Sequence, residues 1–269
     1  MGDAGKKAPA TPRPAATVVI LRDGRAGIEV FMVVRHHEID FASGALVFPG
    51  GKVDEADADP AWAELAPSSA SAPERAFLVA SARETFEEAG LMLARRGGGA
   101  DMVGADEAHR LVETYRARLV SGDTTFLDLV RSENLRLAAD LMVPFAHWIT
   151  PESQPKRFDT RFLLVSAPVE QLGAHDGAES VEGFWIAPQQ ALRDAEAGTR
   201  TLMFPTHMNL LKLTRYASVA EAVAVTRTSP IVAVMPRAER TATGRMLRIP
   251  AEAGYGVTEF FVPTPAAKR

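Results

Sequence analysis

The nine residues Arg83-Glu84-Thr85-Phe86-Glu87-Glu88-Ala89-Gly90-Leu91 constrain this chain more than any other segment. The residues before them are good helix formers, Pro73 and Glu74 suit a first turn, and Gly90 can take the left-handed conformation that ends a helix. On that helix Glu84, Glu87 and Glu88 stand at i, i+3 and i+4, so their carboxylates leave one face with Cβ atoms about 5–6 Å apart. At an effective dielectric constant of about 20, each pair repels by about 3 kcal/mol, and by much less where water surrounds it. Partly enclosed, such a face requires a cation. Fully hydrated, it is an ordinary acidic surface with Arg83 and Glu87 as an i, i+4 ion pair.

The preceding residues favour the enclosed case. A short apolar stretch, Ala45-Leu46-Val47-Phe48, runs straight into Pro49-Gly50-Gly51, where backbone freedom rises sharply, and Asp54 and Asp57 follow. This loop and the helix together can offer backbone carbonyl and carboxylate ligands. The chain has no cysteine, and His36 and His37 have no partner at metal-ligand spacing and read as surface residues. Oxygen donors of this kind favour Mg²⁺ or Mn²⁺ over zinc.

Around this unit, strands and helices are interspersed. Thr17–Leu21 and Ile28–Val34 read as a hairpin, with later strands at 161–165, 181–186, 231–235, 246–249 and 259–262. Helices are expected over 108–119, 126–130, 188–197, 206–213 and from Ser218, whose spacing to Glu221 fits a capping box. Trp62, Trp148 and Trp185 have apolar or strand neighbours and read as core or edge packing, and Gly97-Gly98-Gly99 as a connector. The expectation is one α/β domain over residues 15–269, preceded by a solvated Ala/Pro/Lys tail over 1–14, with insertions at about 58–72 and 95–140.

A formal charge of −4 gives no global field for nucleic acid or anionic lipid. No apolar run approaches the roughly 18 residues of a membrane span, and the first residues lack the apolar core of a secretory signal, so a cytoplasmic protein without membrane or nucleic-acid partners is expected. A homodimer stays open.

The combination of GALVFPGGKVDEAD, an insertion, RETFEEAGL, a helical block and WITPESQPKRFDTRFLLVSAP resembles the Nudix hydrolases. It is similar to a longer subgroup whose signature box is split, which includes mammalian peroxisomal coenzyme A diphosphatases. Gly51 matches the box glycine, and Asp57 stands where the box has its first Glu. Residues 58–82 then separate Asp57 from Arg83, a spacer of 25 residues in place of seven, and Thr85 replaces an apolar residue. The resemblance implies a Nudix-type α/β/α sandwich with a mixed sheet, a helical insertion and a C-terminal extension. It also implies an Mg²⁺- or Mn²⁺-dependent hydrolase that cleaves the diphosphate bond of a nucleoside diphosphate-linked small molecule.

Residue by residue, the resemblance assigns the metal to Glu84, Glu87, Glu88 and the Gly51 carbonyl, and the orientation of the carboxylates to Arg83. A box glutamate such as Glu87, or a later acid, takes the proton of the attacking water; Glu179 is the choice for that later acid and Glu182 its competitor. The subgroup resemblance makes coenzyme A or acyl-coenzyme A the favoured substrate; of the separate coenzyme A signature only Arg35 is present. Arg157, Asp159 and Arg161 alternate along a strand, so the two arginines can face a phosphate from one side, and they equally fit an exposed face with its own ion pair. The alternative to catalysis is a Nudix-fold module that recognises a nucleotide derivative without cleaving it; the intact glutamates argue against it.

Overall fold

Residues 15–21 are almost continuously apolar because both faces of their strand are covered. In the computed structural model, which describes residues 8–34, 45–97, 99–172 and 183–263, this strand is β1 (Arg13–Gly24), the centre of a mixed sheet. Its second half pairs antiparallel with β2 (Gly27–Val34), and its first half with the short β4 (Gly50–Lys52), which follows β3 (Ala45–Val47). On its other side it pairs parallel with β8 (Phe158–Ser166), which pairs antiparallel with β7 (Val143–Ile149). Three further strands, β9 (Gly183–Ile186), β10 (Thr201–Leu202) and β11 (Ala233–Val234), complete the nine found among the described residues.

The two faces carry separate cores. Val18, Ile20, Leu163 and Val165 pack under Val79, Ala82 and Phe86 of α2 (Ala72–Ala89), and α3 (Ala105–Ser121) and α4 (Phe126–Ser132) extend that core. Val19, Leu21, Phe162 and Leu164 face the opposite core, with α7 (Phe204–Leu213) and α8 (Val219–Thr228). Helix α6 (Pro188–Glu196) adds Ala191 to this second core. This is the α/β/α sandwich expected, with the helical insertion bounded by the strand pair β5 (Ala94–Arg96) and β6 (Leu135–Leu137).

The insertion after Asp57 is only partly a bulge. It holds a single-turn helix, α1 (Trp62–Leu65), and then joins α2, which begins eleven residues ahead of Arg83. Ser71 and Glu74 form a capping box at the start of α2, and Gly90, at φ 67°, ends it. Trp62 fixes the insertion: its ring is buried against Phe126, and its Nε1–H donates to the Ala56 carbonyl at 2.9 Å.

One expectation requires correction, and one strand had no sequence signal. The tail stops short of residue 14: Arg13 and Pro14 belong to β1, paired with Phe158 and Asp159, and the Pro14 carbonyl accepts from Val53 N–H. The alanines and prolines of this segment carry little β propensity, and it is the ladder to β8 that extends the strand. Strand β7 was hidden by Pro144, which argues against a central strand; the structure accommodates it at a register shift between Pro144 and Ala146.

The C-terminal extension forms a second sheet of β12 (Arg237–Arg240), β13 (Gly244–Arg248) and β14 (Glu259–Pro263). Phe260 packs on Phe204 and His207, and Tyr255 enters the second core. There the Tyr255 hydroxyl accepts from Trp148 Nε1 at 2.8 Å and donates to Asn209 Oδ1 at 2.8 Å. After β8 comes the single turn α5 (Val169–Leu172), where Gln171 accepts from Met92 N–H and donates to the Met92 and Val103 carbonyls. Among the described residues no helix is long and apolar enough to cross a membrane.

Candidate active site

The double glycine and the acidic helix meet. Gly50 adopts φ 155°, where a Cβ would strike the Ala16 carbonyl, and its N–H donates to Glu88 Oε2 at 2.9 Å. A Cβ on Gly51 would collide with the Glu84 carboxylate, so that position needs a glycine to let β4 and α2 approach. Glu84 is buried at 8% exposure, and Glu87 is partly exposed.

Arg83 ties the helix to the loop. Its Nε donates to Asp57 Oδ1 at 3.0 Å and its Nη2 to Asp57 Oδ2 at 2.9 Å, a bidentate pair, and Nη2 also reaches the Lys52 carbonyl. Nη1 donates to Glu84 Oε1 at 2.8 Å and lies 3.5 Å from Glu87 Oε2. Asp57 is itself 2% exposed and accepts from Asp54 N–H at 2.8 Å. Asp57 thus joins the loop after Gly51 to α2 through Arg83. From the helical insertion, Arg116 Nε donates to the Glu87 carbonyl at 2.5 Å and satisfies an oxygen of the last turn of α2; nothing in the local sequence signalled this.

The electrostatics follow from burial. Loss of water pushes the Glu84 carboxyl up to about 7, against the pull of Arg83 and with the help of the Glu88 and Glu87 charges. Burial also raises Glu87, again opposed by Arg83. For Arg83, burial acts to lower the pKa, but the Asp57 hydrogen bond and the surrounding carboxylates hold it above the ordinary arginine value. Thr85, the departure from the box pattern, is fully buried and passes its hydroxyl hydrogen to the Ser81 carbonyl at 2.8 Å, which lets a polar residue stand at an apolar position.

The donor set is all oxygen, partly enclosed and mutually repulsive, which fits a hard divalent ion. Among the described residues no three His, Asp or Glu side chains already converge as a ligand set, because Arg83 holds Glu84 and Glu87 while Gly50 holds Glu88.

The other expected residues divide. Arg157 is corrected: it is 8% exposed and its guanidinium donates to the Thr150 and Ala10 carbonyls and approaches Met235 Sδ, so it pins the chain start and the β7–β8 turn and has no free face for a phosphate. Arg161 lies on the α2 side of the sheet, in one cross-strand row with Ala16 and Gly51, two strand spacings or about 10 Å from the glycine. Its guanidinium lies over the Phe77 ring. Beside it buried His147 Nε2 meets the partly exposed Asp159 Oδ1 at 2.5 Å, a pair that sequence reading missed because its partners lie on different strands. Arg35, Glu179 and Glu182 lie outside the described residues.

Fold and site define the class: a Nudix-type sandwich whose loop–helix unit gathers carboxylates and one arginine. The sequence model of the NUDT19 Nudix domain matches residues 69–213, more than half of the chain, and the chain belongs to this Nudix hydrolase family. The match begins at Ser69, so the places of Gly51 and Asp57 rest on the geometry. A Caenorhabditis elegans relative carrying a nudix hydrolase name is 27% identical over 203 residues, with 76% of this chain and 61% of that protein covered. The acyl-coenzyme A diphosphatase NUDT19 of Gallus gallus is 24% identical over 241 residues, with 72% and 63% covered. The chain thus spans about three fifths of the length of these curated relatives. The crystal structure of a NUDIX hydrolase from Alicyclobacillus acidocaldarius superposes with a TM-score of 0.61 at 27% identity, covering 82% of this chain and 99% of that one.

Proposed function

We propose that this protein hydrolyses the diphosphate bond of a nucleoside diphosphate derivative with the help of Mg²⁺ or Mn²⁺. The observation that carries the reading is the approach of Glu84 and Glu88 to the Gly50-Gly51 bend, locked by the Arg83–Asp57 pair. Glu84, Glu87, Glu88 and the Gly51 carbonyl would hold the ion, which when bound neutralises the diphosphate and activates water.

The chain's own residues have distinct tasks. Arg83 keeps Glu84 and Glu87 in place and offsets their repulsion. A water oxygen attacks one phosphorus, the bond from that phosphorus to the bridging oxygen breaks, and the other phosphate departs with that oxygen. A carboxylate takes the water's proton, either Glu87 or Glu179. On this reading Arg161, which shares a cross-strand row with Gly51, attracts substrate phosphate, and Arg35 is assigned the same task.

Coenzyme A or an acyl-coenzyme A is the finer substrate reading, supported by the name of the Gallus gallus relative. The test is incubation with Mg²⁺ or Mn²⁺ and a panel of coenzyme A, acyl-coenzyme A, NADH, ADP-ribose and dinucleoside polyphosphates, with products identified by mass. Two phosphate-bearing fragments from a coenzyme A compound support the reading. Cleavage of ADP-ribose or NADH alone keeps the class and removes the finer substrate, and tight binding without turnover of any compound makes the protein a binding module.

A further inference from the structure

Helix α2 carries its carboxylates at the wrong end for its own electrostatics. Glu84, Glu87 and Glu88 stand in its last two turns, where the partial negative charge of a helix C-terminus disfavours them, and its last turn holds no basic residue. The final carbonyls of a helix also lack partners within it, and Gly90 N–H takes only one of them, that of Phe86, at 3.1 Å. An end of this kind frays unless something outside the helix holds it.

A cation for this end comes from the helical insertion. Arg116 of α3, 29 positions along the chain, is half-buried and donates from Nε to the Glu87 carbonyl at 2.5 Å. Its helix is braced: Ala108 and Leu111 are buried in the first core, and the Arg110 guanidinium and the Tyr115 hydroxyl both donate to Glu133 at the end of α4, at 2.6–3.2 Å. The contacts on the acidic turns are complementary. Arg83 holds the Glu84 and Glu87 side chains and Gly50 holds that of Glu88, whereas Arg116 holds the backbone that aims Glu87 and Glu88.

We infer that Arg116 is a positioning residue for the ion site, which keeps the last turn of α2 closed and so fixes the directions of Glu87 and Glu88. The inference rests on the diphosphate hydrolase reading and gives the helical insertion a task in it. Charge and position act in opposite directions here. A cation near the carboxylates competes with the ion, so loss of its charge alone tightens ion binding. Loss of the backbone bond lets the turn open and weakens ion binding.

The test compares the wild type with Arg116→Gln and Arg116→Met. Gln places an N–H at the depth of the arginine Nε without the charge, and Met has nearly the same length and shape with no donor, so the pair separates the bond from the charge. Mn²⁺ titration followed by electron paramagnetic resonance reads the ion site without turnover, and kcat is measured on whichever compound of the substrate panel is cleaved. Circular dichroism checks that both variants are folded. Arg116→Met is expected to bind Mn²⁺ about fivefold more weakly than Arg116→Gln, the size of one hydrogen bond, with a parallel fall in kcat and a substrate KM within about twofold. If Arg116→Met binds Mn²⁺ more weakly than Arg116→Gln but the wild type cleaves no compound, the hydrolase reading falls and the positioning role stands. If the wild type cleaves a compound while the two variants share one Mn²⁺ affinity and one kcat, the inference is overturned and the hydrolase reading survives. Lower thermal stability of Arg116→Met with Mn²⁺ affinity equal to that of Arg116→Gln would make the bond structural only, and overturns the inference equally.

Discussion

Arg83 and Asp57, 26 positions apart, face each other as a bidentate ion pair with both hydrogen bonds at 2.9–3.0 Å. Asp57 is buried at 2% exposure and the Arg83 side chain at 12%, so each is the main compensation for the other's lost hydration. Replacing Arg83 by Met leaves a buried carboxylate unpaired and is expected to cost about 3–5 kcal/mol. The double variant Arg83→Met/Asp57→Asn should recover part of that loss. Urea unfolding of the four proteins of this cycle measures the coupling, and additive losses would show that the pair does not hold loop to helix.

Gly51 is the point of closest approach between β4 and α2. A Cβ there meets the Glu84 carboxylate, so Gly51→Ala must move Glu84 or separate the two elements. The expected outcome is a loss of divalent-ion affinity of at least about tenfold, or 1.4 kcal/mol, with a far-UV circular dichroism spectrum like the wild type's. Unaltered ion affinity would mean that the bend is not part of the ion site.

The legibility of this site in the sequence followed the range of the interactions. Glu84, Glu87 and Glu88 share one helix, and helical spacing alone puts them together. Asp57 and Arg83 were matched by their place in a pattern, although a 25-residue spacer hides their contact from any local reading. The His147–Asp159 pair joins residues on adjacent strands, and only the β7–β8 register reveals it. Arg157 misled because alternation names a face but not the partners there: the Thr150 and Ala10 carbonyls that consume its donors come from a turn and from the chain start. The main strands and helices were readable from apolar patterning, whereas β7 was masked by Pro144, and the short β5, β6 and β10 have too few residues for a period to show.

His147 gives the fold a pH dependence. Burial lowers its pKa, with the nearby Arg161 acting the same way and Asp159 opposing. The unfolded chain, with a histidine near 6.5, binds a proton more readily than the folded one. The stability contributed is therefore full above about pH 6.5 and declines as pH falls through that value towards the lower folded pKa. Comparing His147→Gln with wild type isolates this group from the carboxylates: between pH 7.5 and pH 5.5, roughly one unit either side of that value, wild type should lose more unfolding free energy than the variant. Parallel pH profiles would remove His147 from the account.

Tyr255 fastens the C-terminal extension by two hydrogen bonds inside the second core. Tyr255→Phe keeps the ring and leaves Trp148 Nε1 and Asn209 Oδ1 without this partner, at an expected cost of about 1–3 kcal/mol. Thermal unfolding should show the loss, while the kinetics of diphosphate cleavage at low temperature should stay unchanged. A fall in kcat with no fall in stability would place the extension in the reaction itself.

The ion cradle is tested most directly by titrating the protein with Mn²⁺ and following the free ion by electron paramagnetic resonance. The wild type should bind Mn²⁺ and the Glu84→Gln/Glu88→Gln variant should lose at least about tenfold in affinity, or 1.4 kcal/mol. Equal Mn²⁺ affinity in the two proteins would contradict the account.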